Sequence, residues 1–569
     1  MNYLKIKQFF NWKVLLFLIV LLGFVLRFYQ LGQVPDGFHA DEAAWGYNAY
    51  SILHTGKDEY GKVLPLVLKS FGDYKGAIYS YLDIPFIALL GLTAFATRIP
   101  SAIFAVLLIV LTYFFTKKLL KNEKIALLSS FLLAISPWHI ILSRVTADFD
   151  IAIFFILLLA YSLLELIDKF NKKWFSIAVA SGVLAIFTYT ASRFFVILVV
   201  ILFLLYSFNN NKRGWKINRS ILLSFCVLLI TGIVYTYFVP ISRFNQVSIF
   251  SNTQTQLVLN EQLREDGVTG VGVLEARMFH NKIVNYTRTI LQNTGQYFTF
   301  DYLFLNGGYP QRERVPDVGL FYIWEAPFLL IGIYAILRKK KRKEILLLAW
   351  WLILLIPTII TFDEIPNVHR NLVVLPAMII IIAIGIYETF SYDKLKKLKI
   401  LPLVFIIILL VGVYEFLYFQ HQYFVHYDLH QPWYRGYAYK PLVADLEKYY
   451  PKFNKIIVTK SQSSPYIYIL FYSKYDPKKY QNEGSPRDLD YTGFDKYFFV
   501  PLDCPLNGGK NGEDTVKGRP GILYVDKGTC KTPLHNAKLL DVINWRDGSP
   551  AFKLMEYVAT GPAQMNSEY

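Results

Sequence analysis

Eleven apolar stretches, each close to the length a helix needs to cross a bilayer, constrain this chain more than any other feature of it. A helix rises 1.5 Å per residue, so ~30 Å of hydrocarbon takes about 20 apolar residues. The stretches run near 14–31, 99–116, 125–142, 150–167, 174–190, 194–208, 220–239, 319–337, 344–361, 371–390 and 400–419. A twelfth, near 77–94, contains Asp83 and Pro85. Only 18% of the residues are charged, where soluble chains carry about 25%. Low charge and long apolar runs exclude disorder, collagen-like repeats and a disulfide-scaffold toxin.

Basic residues flanking membrane helices stay on the cytoplasmic side. Lys5, Lys7 and Lys13 precede the first stretch and put the N-terminus inside. If 77–94 does not cross, the windows 1–13, 117–124, 168–173, 209–219, 338–343 and 391–399 all lie inside, with 24 Lys/Arg. The short outer loops 143–149, 191–193 and 362–370 then carry one each. The segment 77–94 therefore reads as a juxtamembrane or re-entrant element on the outer side. The first stretch reads as an uncleaved signal anchor, with Arg27 snorkelling to the headgroups. The overall charge of +17 is explained by the same windows, which hold a net +21 and leave −4 for everything else. It offers no support for nucleic-acid binding.

Three outer segments follow from this topology: 32–98, 240–318 and 420–569. The first carries a helix-like run from Asp41 that suits an amphipathic helix on the bilayer surface, acids toward its N-terminal end. The second holds polar helix-like stretches at 251–265 and 273–295. In the third, KIIVTK, YIYILFY, KYFFVP and GILYVDK read as short strands, with GYAYKPLVADLEKYY as a helix before them. The fold class is thus a polytopic α-helical membrane protein of about 11 spans plus outer juxtamembrane helices. Residues 1–420 form the transmembrane part and 421–569 a small extracytoplasmic α/β domain. Cys504 and Cys530 both fall in that domain, where an oxidising compartment permits a disulfide. Cys226 reads as buried in a span and inert.

Ionisable groups at a membrane boundary are costly unless paired or lining a wet cavity. Here they gather at one face from at least five segments. Asp41 and Glu42, beside His39, can supply a general base with a hydrogen-bonded partner, or simply cap a helix. The same loop holds Asp58, Asp73 and Lys75, and Arg98 opens the next span. Other outer helix ends add Arg144, Asp148 and Asp150, then Tyr189 and Arg193, then Asp363, Glu364, His369 and Arg370. A shared outer cavity with acids for proton abstraction and cations for a phosphate explains the set. No Gly-rich phosphate loop, CxxC, HExxH or GxSxG occurs, and Trp350–Trp351 reads as packing.

On the motifs DEAAWGYNAYSILHTGKDEYG, FGDYKGAIYSYL, FATRIPSA and PNVHRNLVVLP, residues 10–420 resemble the GT-C superfamily of polytopic glycosyltransferases. The resemblance is to its protein O-mannosyltransferase and aminoarabinose-transferase (lipid A modifying) branch. It implies that Asp41 is the base on the acceptor hydroxyl, that Glu42 orients it or contacts the acceptor, and that Lys75 contacts the donor phosphate. This chain reads Lys-Gly-Ala where aminoarabinose transferases read Lys-Pro-Pro or Lys-Pro-Ile. The loop acid matches Asp148, with Asp150 as rival, and His369 and Arg370 fall at a His-Arg pair implied to touch phosphate or sugar.

The resemblance implies a polyprenyl-phosphate-linked monosaccharide as donor, a hexose or pentose, and inversion at the anomeric carbon. The acceptor is a glycan, lipid or protein hydroxyl at the outer face of the cell membrane, and membrane lipid is the other partner. A monophosphate leaving group held by Lys75 and Arg side chains requires no cofactor and no metal, and nothing in the motifs supports a divalent ion. The competing readings are an oligosaccharide transferase, whose relatives carry a WWD-type motif absent here, and a lipid-linked glycan flippase or transporter. The latter predicts charges and Gly/Pro breaks in mid-span.

Overall fold

The computed structural model describes residues 11–210, 215–238, 246–391, 401–483 and 491–559. The basic windows at 1–10, 211–214 and 392–399 and the side chain of Asp73 lie outside the described residues. The chain forms two compact units: a helical unit of residues 1–29 and 100–423, and a mixed unit of residues 30–99 and 424–569.

In the helical unit each of the eleven apolar stretches is mostly helical over its described residues. Among the described residues five helices are long and apolar enough to cross a membrane: Ala94–Leu120, Asp148–Asp168, Arg219–Tyr237, Val368–Ser391 and Pro402–His426. Glu123–Ile135 and Pro137–Ser143, bent by 55°, make a sixth if counted as one span. The bend falls where Pro137 cannot continue a hydrogen-bonded helix and Ser136 caps a new one. Helix Leu375–Ser391 is buried on every side from Leu375 to Gly385. It crosses Ala326–Lys339 so closely that a Cβ on Gly385 would lie 1.9 Å from the Phe328 carbonyl oxygen, and one on Gly332 2.1 Å from that of Ile381. Small residues at such a crossing let backbones touch where lipid gives no hydrophobic drive. Helix Leu401–His421 is the opposite case, exposed along nearly its whole length.

Two sequence expectations fail in this unit. Arg27 does not snorkel: it is fully buried and donates to the carbonyls of Gly23, Leu133 and Ala134. The last two are carbonyls released by the bend after Ile135, so the guanidinium satisfies acceptors that no helix hydrogen bond serves. Cys226 is exposed on its helix, not buried.

The mixed unit is built on a six-stranded sheet ordered β4-β5-β3-β6-β8-β7 (β3 Lys455–Thr459, β4 Gly493–Phe494, β5 Tyr497–Val500, β6 Ile522–Lys527, β7 Ala537–Asn544, β8 Pro550–Tyr557). β3 pairs in parallel with β5 and β6, and the outer pairs are antiparallel. The central strands are continuous apolar runs, as expected for strands covered on both faces. YIYILFY is not a strand but helix Pro465–Tyr472, started by Pro465. All its residues from Pro465 to Phe471 are buried, which erases the periodicity that separates strand from helix. Cys504 and Cys530 are disulfide-bonded.

Residues of the first outer loop share the core of this sheet. Helix Ala40–Thr55 buries Ala43, Ala44, Tyr47 and Ala49 in one cluster with Tyr466, Ile467, Leu470 and Phe471. The expectation of a surface-lying amphipathic helix is therefore wrong: eleven of its sixteen residues are buried. Small side chains on several faces make it an interior helix. Helix Ile78–Leu90 has 13 residues, about 20 Å, too short to cross ~30 Å of hydrocarbon.

Candidate active-site residues

In the mixed unit the chemistry starts at the N-terminus of helix Ala40–Thr55. His39 is the N-cap: its Nδ1 accepts the Asp41 N–H at 3.2 Å, and Glu42 Oε1 accepts the His39 N–H at 3.2 Å. This reciprocal capping box satisfies donors the first turn leaves free. Because Nδ1 is the accepting nitrogen there, it has no proton for the Asp41 carboxylate 3.3 Å away. Asp41 is left at the first turn, about a third exposed.

Lys75 reaches it from a hairpin, β1 (Val67–Ser70) and β2 (Asp73–Gly76), in which Leu68 faces Lys75. The connecting residues Phe71 and Gly72 both have positive φ, 52° and 78°, the twist that a two-residue hairpin turn requires. Lys75 Nζ forms an ion pair with Asp41 Oδ1 and lies 4.6 Å from the Trp45 ring centre and 5.2 Å from that of Phe71. Asp41 and Trp45 are four apart and so share a helix face. The side chain of Lys75 is only 13% exposed, so an acid, two aromatic faces and burial hold one ammonium in place.

Glu42 and Arg98 are buried together. Arg98 Nε donates to Glu42 Oε2 at 3.0 Å and Nη2 to Oε1 at 3.4 Å. The remaining N–H groups go to the carbonyls of Leu31, Pro35 and Gly37. All five donors of the guanidinium are engaged, and they clasp the 31–37 loop to the start of the helix. Asp58 turns the chain after the helix, its Oδ1 accepting the N–H groups of Tyr60 and Lys62 at 2.9 Å. Among the described residues, Asp83 in helix Ile78–Leu90 has no hydrogen-bond partner on either carboxylate oxygen, and burial pushes its carboxyl well above the ordinary range.

In the helical unit the start of helix Asp148–Asp168 gathers a second group. Phe149 stacks on the His369 ring, centres 4.2 Å apart, and meets Tyr189 edge-on at 6.2 Å. Asp148 is buried beside them. His369 Nε2 lies 3.7 Å from Glu313 Oε1. Arg370 is held by the Asp363 carboxylate at 3.2 Å, the Asp363 carbonyl at 2.8 Å and Thr361 Oγ1 at 3.1 Å. Arg193 is buried at the start of helix Ser192–Asn210, with no hydrogen-bond acceptor for Nε and Nη1 among the described residues. Buried guanidinium donors without acceptors are what an anionic ligand would complete.

Asp150 has a different neighbour. Its Oδ1 is 3.1 Å from His139 Nε2, and Arg27 Nη2 sits 2.7 Å from His139 Nδ1. An arginine can only donate, so Nδ1 accepts and Nε2 carries the proton toward Asp150. Sequence reasoning missed this chain. Its one signal was three polar residues within or at the ends of apolar stretches. Among the described residues no group of three or more His, Cys, Asp or Glu is arranged to hold a metal ion.

Residues 15–247, which include Asp41, Lys75, Arg98, Asp148 and Arg193, match the family described as dolichyl-phosphate-mannose-protein mannosyltransferase. No curated protein sequence matches the chain. The structure is similar to ArnT from Cupriavidus metallidurans, in the apo state and bound to undecaprenyl phosphate, with a TM-score of 0.51 at 12% identity, over 95% of this chain and 97% of that one. It is also similar to the archaeal oligosaccharyltransferase AglB from Archaeoglobus fulgidus, in complex with an inhibitory peptide and a dolichol-phosphate (TM-score 0.48, 14% identity). That match covers 83% of this chain and spans 64% of the AglB chain.

Proposed function

From the premise that this chain has the multi-pass membrane fold of the GT-C glycosyltransferases, we propose that it moves a monosaccharide from a polyprenyl-phosphate donor to an outer-face acceptor hydroxyl. The observation that carries the reading is the Asp41–Lys75 pair: a partly exposed carboxylate at a helix N-terminus, with a caged ammonium on it. Asp41 takes the proton of the acceptor hydroxyl as that oxygen bonds to the anomeric carbon. The bond from that carbon to the phosphate oxygen breaks, and the lipid phosphate leaves on Lys75. A single displacement inverts the anomeric carbon. Glu42 orients Asp41 through the capping box, and Arg98 positions Glu42. For Arg193, His369 and Arg370 the proposed role is contact with phosphate or sugar, and for Asp148 that of the loop acid.

The chain sits in the cell membrane with its N-terminus cytoplasmic and eleven spans. The catalytic residues come from 1–420, with outer loops 32–98 and 240–318, and the mixed unit of residues 30–99 and 424–569 is extracytoplasmic. Asp41→Asn tests the assignment. In membranes supplied with a polyprenyl-phosphate sugar it is expected to lower transfer by about 10²–10⁴-fold while leaving expression intact. Unchanged transfer would remove Asp41 as the base.

A further inference from the structure

One cavity of the mixed unit, about 470 Å³, takes no part in the chemistry above. Its volume is within the range of small-molecule sites, ~300–1,000 Å³. Its walls come from the residues that follow the first apolar helix and those that follow the last, joined by two cations from the C-terminal domain. The polar wall is Gln30, Gln33, Asp36, Asp428, Lys440 and Arg546, and Phe424 and Val425 supply an apolar side.

Part of this wall is already fixed. Arg546 Nη1 donates to Asp36 Oδ2 at 2.7 Å, and the Asp36 N–H donates to Asp428 Oδ1 at 2.9 Å. Among the described residues, Asp428 Oδ2, the Lys440 ammonium and the two glutamine side-chain amides meet no hydrogen-bond or ion-pair partner, although Asp428 lies in the field of Asp36, Arg98 and Arg546. The site thus presents acceptors and donors in one hollow without a use for them inside the fold. Burial pushes the Asp428 carboxyl up to about 6, the mark of a group held partly out of water.

Charge selects the class of ligand. A phosphate would meet two carboxylates, Asp36 and Asp428, and a bare cation would meet Lys440 and Arg546. A neutral, hydroxyl-rich molecule satisfies both kinds of group, since a carboxylate accepts from hydroxyls while ammonium and amide donate to them. The apolar side receives the C–H face that a sugar ring also has. We infer that this cavity is a carbohydrate subsite, which holds a non-reacting sugar residue of a glycan acceptor. The inference rests on the transferase reading above and narrows its acceptor to a glycan.

The test uses the full chain in detergent with two readouts. The first is saturation-transfer NMR with a panel of hexose, pentose and N-acetylhexosamine oligosaccharides. The second is transfer to the glycans the panel identifies. Asp428→Asn and Lys440→Gln are expected to weaken glycan binding and raise the acceptor KM about tenfold each, with kcat at saturating acceptor unchanged. Glycan binding and acceptor KM that ignore both cavity variants overturn the subsite, as does binding of inorganic phosphate in place of glycan. If the variants abolish glycan binding but the parent transfers no sugar from a lipid phosphate, the subsite stands and the transferase reading falls.

Discussion

Lys75 and Asp41 are direct partners, and the ammonium rests on the Trp45 ring at 4.6 Å. A carboxylate paired with a cation is a poor base until the cation finds a better anion, and a donor phosphate is one. Lys75→Met should therefore raise the donor KM at least tenfold, with Lys75→Arg closer to the parent because charge remains. Trp45→Leu removes the cation–π face and should raise it by a smaller factor, about two- to fivefold. Steady-state kinetics in donor concentration separate these effects from kcat. A donor KM untouched by Lys75→Met removes Lys75 from the donor site.

The Glu42–Arg98 pair makes a different demand. Their side chains are 5% and 1% exposed. Removing one partner of such a pair leaves an uncompensated buried charge, which costs about 3–5 kcal/mol. Glu42→Ala and Arg98→Met should each lower the melting temperature sharply and expose the 31–37 loop to protease. The double variant should be less unstable than the sum of the two, since neither charge is then stranded. Full additivity in thermal melts would show that the pair is not coupled.

The disulfide between Cys504 and Cys530 closes a loop of 26 residues. Chain-entropy arithmetic gives such a crosslink about 3–4 kcal/mol through the unfolded state. Cys504→Ser with Cys530→Ser should shift denaturant unfolding of the mixed unit by that amount. Reductant should reproduce the shift in the parent and do nothing to the double variant. Equal unfolding with and without the crosslink would contradict the estimate.

What was legible in the sequence follows from where each signal lies. Apolar runs are long and repetitive, so the helical character of all eleven stretches could be read directly. Asp41 and Glu42 were legible because a helix start has a chemistry of its own, with acids near the free N–H groups. The interior placement of their helix was not, because Ala, Gly, Ser and Asn between aromatics look as much like a surface helix as like one packed among larger residues. Burial on several faces likewise hid the helix in YIYILFY. Arg27 misled for a related reason: a cation near a helix end has two stable fates, headgroup or buried carbonyls. The carbonyls that decided it belong to a bend more than 100 residues away. The Asp428 cavity was illegible throughout, since its walls join 30–36 to 424–440 and 546.

Asp526 gives the clearest pH dependence. It is fully buried on β6, its Oδ1 accepts the Leu506 N–H at 3.1 Å, and among the described residues its Oδ2 has no donor. Burial pushes its carboxyl up to about 7, against the smaller opposing pull of the Leu506 N–H and of Lys553. In the unfolded chain the same group titrates near 3.8. Between those values the folded state holds a proton the unfolded state has lost, so stability must fall as pH rises. The loss begins near pH 4, runs to about 7 and then levels off. Asp526→Asn keeps an acceptor for Leu506 and removes the titration. Its melting temperature should therefore lie closer to the parent's at pH 5 than at pH 8, with the variant the more stable at pH 8. Melts of both proteins at the two pH values decide it. A parent whose stability relative to the variant does not drop between pH 5 and 8 would show that Asp526 is ionised in the fold.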